Sequence, residues 1–237
     1  MELFTEGHGR VGAVARGVTS RGWQGLLEPF TPLLVGWGGR GELKTLTTVD
    51  TGGAARPLRG EALACGFYLS ELLLRLTRRD DPHPRTWYAY GRTLEALAEG
   101  VPGDAGDGAG GGGSAGESAM RGFEVVLLRE SGYGMELRED RHGAPIEPDR
   151  VYRYRVEAGA EPVDGGGVAD GVADSAAAYG VEVRGGTLLA LAEGRLSGEG
   201  QLREARRLMR TVVHHHMGGR PLRSRELFQS FRTAGRP

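Results

Sequence analysis

Three stretches of this 237-residue chain hold residue types whose spacing matches known chemistry. Gly7-His8-Gly9-Arg10-Val11-Gly12 has the glycine spacing of a dinucleotide-phosphate loop. Such a loop needs a strand before it and a helix opening at its third glycine, whereas the residues that follow read as a strand. Gly112-Gly113-Ser114-Ala115-Gly116 has the spacing of a nucleophile elbow. An elbow needs a strained strand-to-helix turn in a rigid sheet, and Ser114 lies beside a polyglycine run. His214-His215-His216 could offer imidazoles to a metal, but adjacent helical positions point about 100° apart and no carboxylate or cysteine stands at a supporting spacing. Surface histidines are the simpler reading. No phosphate-loop lysine motif, no H-E-x-x-H and no poised carboxylate pair occurs. The pattern predicts a binding protein rather than an enzyme, with no cofactor and no metal.

The charge distribution says what would be bound. The chain carries a formal charge of -1, yet its last 37 residues hold nine arginines against two glutamates, and residues 101–200 hold nine basic against 18 acidic side chains. A surface polarised in this way attracts phosphate or acidic peptide. Within the basic end, Arg203, Arg206, Arg207 and Arg210 repeat at i, i+3, i+4 and i+7 of a predicted helix, opposite an apolar stripe of Leu202, Ala205, Met209, Val212 and Val213. Four like charges on one face repel, and an anionic ligand would relieve that repulsion; a solvated face is the alternative. Cys65 is the only cysteine, so an internal disulfide is excluded, and its apolar helical context predicts a small buried side chain. No run of 18 apolar residues and no basic-then-apolar leader occurs, which predicts a cytoplasmic protein, nucleoid-associated if DNA is the ligand.

The elements that must position these groups divide the chain. Arg10–Arg16, Thr31–Trp37 and Glu42–Val49 read as strands, the last with Leu43, Thr45, Thr47 and Val49 on one face. Gly36 to Gly41 between the last two supplies a tight hairpin with Arg40 at its tip. From about residue 61 the apolar period becomes helical, with stripes Leu69/Leu72/Leu73/Leu76 and Trp87/Tyr90/Leu94/Leu97, both expected in the core. Residues 103–116 read as a Gly-rich linker, followed by a helix over 118–129 with Met120, Phe123 and Leu127 inward. Val151–Val156 is a candidate strand in an otherwise patchy stretch. Ser224 is placed to cap a final short helix burying Leu227, Phe228 and Phe231.

A set of ordered blocks carries a resemblance: Phe4-Thr5-Glu6 with Gly9-Arg10-Val11, Val14-Ala15-Arg16-Gly17, Glu28-Pro29-Phe30-Thr31-Pro32-Leu33, Gly38-Gly39-Arg40-Gly41-Glu42-Leu43-Lys44-Thr45-Leu46, and Tyr68 with Glu71-Leu72-Leu73. It continues through Phe123-Glu124, Leu127-Leu128, Gly132-Tyr133-Gly134 and Tyr152-Arg153-Tyr154-Arg155 to Leu222-Arg223-Ser224-Arg225-Glu226-Leu227-Phe228. Together these blocks resemble the RecO family of recombination mediators over nearly the whole chain.

The resemblance implies an α+β protein: an N-terminal OB-fold β-barrel over residues 1–58 and an α-helical C-terminal domain over 59–237. Members of the family have further residues ahead of the segment that starts at Glu2, forming the first strand and most of the second. The expected barrel is therefore truncated, lacking its first strand, with a start assigned too far downstream as the expected reason. The family binds and anneals single- and double-stranded DNA and, with RecR, loads RecA on DNA coated by single-strand-binding protein. By position, Arg10, Arg16, Arg21, Arg40 and Lys44 would be phosphate contacts, with Trp23 or Trp37 as a base-stacking platform unless Trp37 is core. Arg121 matches a position that holds the acidic C-terminal tail of single-strand-binding protein, or it pairs with Glu117 or Glu124. The loop Gly17–Trp23 is shorter and less basic than is usual, and a four-cysteine zinc site of some members is absent with Cys65 alone. A protein-only adaptor that grips acidic peptides through its C-terminal arginines is the alternative.

Overall fold

The computed structural model describes residues 1–54, 57–100, 113–163 and 180–224. The part of the expected linker at 103–112 and the helix expected beyond Ser224 lie outside the described residues. Four strands come first: β1 (Glu2–Thr5), β2 (Gly9–Val14), β3 (Leu33–Gly38) and β4 (Leu43–Thr51). They form an open sheet in the order β1-β2-β4-β3, with β2 parallel to β4 and the other pairs antiparallel. The strand-rich start is therefore present, unclosed, and β1 adds a strand that periodicity missed because four residues are too few to show alternation.

The pairing of β3 with β4 shifts between Gly36 and Trp37, which face Thr48 and Leu46, so Thr47 is an extra residue on β4. This β-bulge changes which side chains face inward. Leu46, not Thr45 or Thr47, is the buried residue, 1% exposed, and Val49 three positions on packs against the same cluster. Leu43, expected on one face with Thr45, Thr47 and Val49, is 57% exposed. Glycine is required at position 36, since a Cβ there would meet the Thr48 hydroxyl at 2.6 Å. The small core under this sheet is built on Ala13, Trp23 and Leu46.

The rest is mainly helical, as expected, with a small second sheet that includes the candidate strand at 151–156. Helices α1 (Gly60–Leu76), α2 (Pro84–Glu99) and α3 (Gly113–Glu130) are followed by a three-stranded antiparallel sheet, β5 (Val151–Arg155), β6 (Gly159–Pro162) and β7 (Val181–Arg184), in the order β6-β5-β7. Helices α4 (Gly185–Glu193) and α5 (Gly198–His216) follow. In β5 the tyrosines of Val-Tyr-Arg-Tyr-Arg point inward, Tyr152 and Tyr154 being 1% and 3% exposed, while Arg153 pairs across the sheet with Glu182 at 2.7 Å and Arg155 with Glu161 at 2.8 Å. Helix α3 begins at Gly113, so the linker expected over 103–116 is helical from that residue, and Ser114 lies on a helix rather than at an elbow. Its other end follows the sequence: Gly132, at φ +85°, lets the Tyr133 amide donate to the Leu128 carbonyl, closing the helix.

The apolar stripes of α1, α3 and α5 enter one core with the second sheet: Leu69, Leu72, Phe123, Leu127, Leu202, Met209 and Val212 are all buried. Helix α2 departs from expectation. Thr86, Thr93 and Leu97 are buried, and Trp87, expected inward, is on the exposed side. The strip is rotated because Tyr90 is held from both flanks, its hydroxyl 2.8 Å from the Ser70 hydroxyl and its ring against Phe123.

Arg223 and Ser224 are stapled to α1 by one carboxylate. Glu71 accepts hydrogen bonds from the amides of Arg223 and Ser224 and from the Ser224 hydroxyl, all within 3.0 Å, and Arg75 ties Glu71 to the Pro221 carbonyl. Burial alone would raise the Glu71 carboxyl, but these donors, Ser224 foremost, hold it below the ordinary value of 4.5. A depressed carboxyl stabilises the fold fully above that value and loses its contribution as pH falls through the folded-state value. Glu71→Gln is accordingly expected to raise amide exchange at residues 220–224 severalfold at pH 7 and to shrink the difference from wild type as the pH falls below 4; equal exchange in both proteins at pH 7 would remove the staple.

Candidate nucleic-acid interface

Four of the five cations expected on the first sheet gather around β4. Arg40 is exposed in the β3–β4 turn, and Lys44, at the start of β4 and paired with Ala13 of β2, is half-buried with its Nζ 3.0 Å from the Gly41 carbonyl. Arg16 is exposed two residues beyond Val14, which pairs with Thr45 of β4. Arg21 reaches the bulge: its guanidinium donates to the Thr47 carbonyl at 3.1 Å and stacks over Trp23, 5.0 Å from the ring centre. Glu42 is exposed among them.

Arg10 is elsewhere and differently employed. Its side chain is 12% exposed and donates to the Leu74 and Thr77 carbonyls at the end of α1, at 2.8 and 2.6 Å, and to Glu2. Glu2 also receives the Arg79 guanidinium; these charges hold the Glu2 carboxyl low against the opposing effect of its burial. Arg10 is a strut between sheet and helices, because its neighbours provide acceptors that a phosphate would have to displace. The glycine motif around it is structural too. Gly9 sits at φ +63° with room for no Cβ, which would lie 1.9 Å from the Asp81 carbonyl oxygen, and Gly12 lies under the Arg79 guanidinium.

Of the two tryptophans considered for base stacking, Trp23 is 6% exposed and belongs to the core. Trp37 is half-buried, its ring edge-on to His8 at 5.1 Å.

The arginine face of α5 is divided by the fold. Arg206 is bidentate on Glu117 of α3, its Nε 2.6 Å from the carboxylate, and Arg207 donates to the Glu182 carbonyl of β7 at 2.6 Å. Arg203 lies 3.5 Å from Glu199 at the surface, and Arg210 is exposed. The repulsion read from the sequence is relieved internally by acceptors on α3 and β7 rather than left for a ligand. The histidines that follow are surface residues, except that His216 stacks on Tyr133 at 4.5 Å, and its burial beside His215 lowers its pKa.

Arg121 is buried, its side chain 9% exposed, and donates to Glu124 at 2.9 Å; Glu124 also accepts from the Tyr68 hydroxyl at 2.6 Å. Burial pushes the Glu124 carboxyl up against the pull of Arg121, while on Arg121 burial opposes the charged form and is outweighed by the surrounding groups together, Glu124 foremost and then Tyr68 and Glu117, which raise its pKa. The position expected to grip an acidic tail is thus an internal pair that shapes α3. Tyr68 and Glu71 were visible in the sequence as a block, but nothing in their spacing showed that partners 56 and 153 residues away would complete them.

Residues 58–226 match the family model described as Recombination protein O C terminal, and residues 1–53 match Recombination protein O N terminal. The DNA repair protein RecO of Halorhodospira halophila is 53% identical over 235 residues, covering 98% of this chain and 90% of that protein. The RecO of Alkalilimnicola ehrlichii is 46% identical over 230 residues, 97% of this chain and 83% of that protein. The RecO of Methylococcus capsulatus is 44% identical over 234 residues, 97% and 86% of the two chains. With both family regions matched in order and relatives this close along almost its full length, the chain belongs to the RecO family.

Proposed function

We propose that this protein acts in DNA repair and recombination as a mediator that binds DNA without transforming it. The observation that carries the reading is the grouping of exposed Arg16, Arg21 and Arg40 with half-buried Lys44 around β4 on an open sheet, where such cations can follow a phosphate backbone. Family membership supports the finer steps: annealing of complementary strands and, with RecR, loading of RecA on DNA coated by single-strand-binding protein. In this reading the acidic tail of that protein is a partner of the helical region, and Arg121 contributes by fixing α3 through Glu124.

Changing Arg16, Arg40 and Lys44 together to glutamine tests the sheet. The log-log slope of oligo(dT) affinity against salt should fall by about two, at roughly 0.7 per lost phosphate contact. Arg10→Gln should change stability more than that slope. A wild-type protein that ignores DNA at low salt yet holds acidic peptides would replace the mediator by an adaptor.

A further inference from the structure

The rotation of α2 leaves a surface that the first sheet does not explain. Arg85, Tyr88 and Arg92 stand at i, i+3 and i+7, on one outward face of the helix. Tyr88 is 62% exposed, the most of any aromatic among the described residues, and Trp87 beside it is 36% exposed. Large aromatic rings left in water on an otherwise well-buried helical core mark a contact surface. Tyr88 also forms one wall of a groove of about 470 Å³ between α2 and α3, whose floor is Pro84, Ala89 and Val126.

The charges around that groove select its occupant. Arg85 and Arg129 line it, and Arg92 lies one turn beyond Tyr88. Against these three guanidinium groups stand one carboxylate of the lining, Glu130, 3.7 Å from an Arg85 side chain that is itself 77% exposed, and Glu136 outside it, whose carboxyl feels the charge of Arg129. Arg92 and Arg129 are exposed and have no hydrogen-bonded acceptor among the described residues. An apolar helix from a protein partner would have to desolvate these arginines without compensation, and the apolar floor is only three side chains wide. A nucleic-acid strand uses both features together: a base stacks on the ring while its flanking phosphates meet the cations.

We propose that this face of α2, with Tyr88 as the stacking platform and Arg85, Arg92 and Arg129 as phosphate contacts, is a second single-strand contact separate from the cations around β4. It rests on the reading of the protein as a DNA binder. The opposite side of α2 meets the first sheet, where Tyr90 packs its ring against Phe4 of β1 with 6.0 Å between centroids, so the platform faces away from that junction and is a contact of its own.

The test is equilibrium binding of a fluorescent dT30 to the full chain, together with photocrosslinking of a 5-iodouracil-substituted strand mapped by mass spectrometry. Tyr88→Ala should weaken binding about tenfold, the usual consequence of losing one stacked base, and Tyr88→Trp should restore it. Arg85→Gln with Arg92→Gln should lower the salt slope by about 1.4. Crosslinks should map to residues 84–92 as well as to the first sheet. If wild type binds dT30 but Tyr88→Ala binds equally well and crosslinks stay on the first sheet, the platform is refuted while the DNA-binding reading stands; that result would leave the groove to a protein partner. If wild type does not bind dT30 at all, both fall.

Discussion

Glu124→Leu is expected to destabilise the protein by about 3–5 kcal/mol, the usual cost of stripping one partner from a buried ion pair. The substitution leaves Arg121 cationic inside the core, its side chain 9% exposed, with its main acceptor gone. The Tyr68 hydroxyl loses its acceptor in the same step. Arg121→Met combined with Glu124→Leu should recover most of the loss, because a charge pair exchanged for apolar groups of similar size is close to neutral. A residue of about 1 kcal/mol should persist from Tyr68, and Tyr68→Phe should remove it. Urea unfolding of wild type, Arg121→Met, Glu124→Leu and the double variant measures the cycle, and the strong non-additivity is its signature. A Glu124→Leu protein within 1 kcal/mol of wild type would mean that Arg121 reaches water, which would reopen a direct role for it in peptide binding.

Gly9→Ala should cost about 2–5 kcal/mol and act mainly on the junction between the first sheet and the helices. Two costs combine. A side chain at φ +63° costs roughly 1–2 kcal/mol, and a Cβ 1.9 Å from the Asp81 carbonyl oxygen forces the 79–81 backbone away, at an overpacking cost of about 1–3 kcal/mol. The displaced backbone carries the Asp80 amide, which donates to the Arg10 carbonyl at 2.9 Å, and Arg79, which holds Glu2. Hydrogen exchange should therefore rise at residues 2–14 and 77–82 and remain unchanged in α5. Gly7→Ala, where a Cβ meets nothing within 4 Å, is the control and should be silent. Uniform destabilisation without the local pattern would contradict the junction as the site of the effect.

These two expectations show where reading along the chain succeeds and where it stops. The stripes of α1, α3 and α5 and the arginine tip of the β3–β4 hairpin were legible, because a 3.6-residue period or a glycine-rich turn is a local property of the chain. The alternation along β4 does not hold through its whole length because a single extra residue, Thr47, exchanges the faces, and only the partner strand reveals the bulge. Strands β6 and β7 are each four residues long, too short to show alternation, and although β6 follows β5 in a local hairpin, the pairing of β7 with β5 joins residues about 30 apart in sequence. The outward turn of Trp87 followed from what holds Tyr90, which no periodicity contains.

Charge divides along the same line. The sequence by itself determined that cations outnumber acids at the C-terminal end, that catalytic motifs lack their context, and that the ordered blocks are those of RecO. Only the tertiary structure decided which arginines are occupied. Arg10, Arg206 and Arg207 are held by acceptors from distant elements and Arg121 by Glu124 one turn along α3, while Arg16, Arg40, Arg85 and Arg92 stay exposed. A guanidinium is cationic wherever it stands, so its charge can be counted from composition, but whether a carboxylate or carbonyl lies within 3 Å depends on which elements the fold packs beside it.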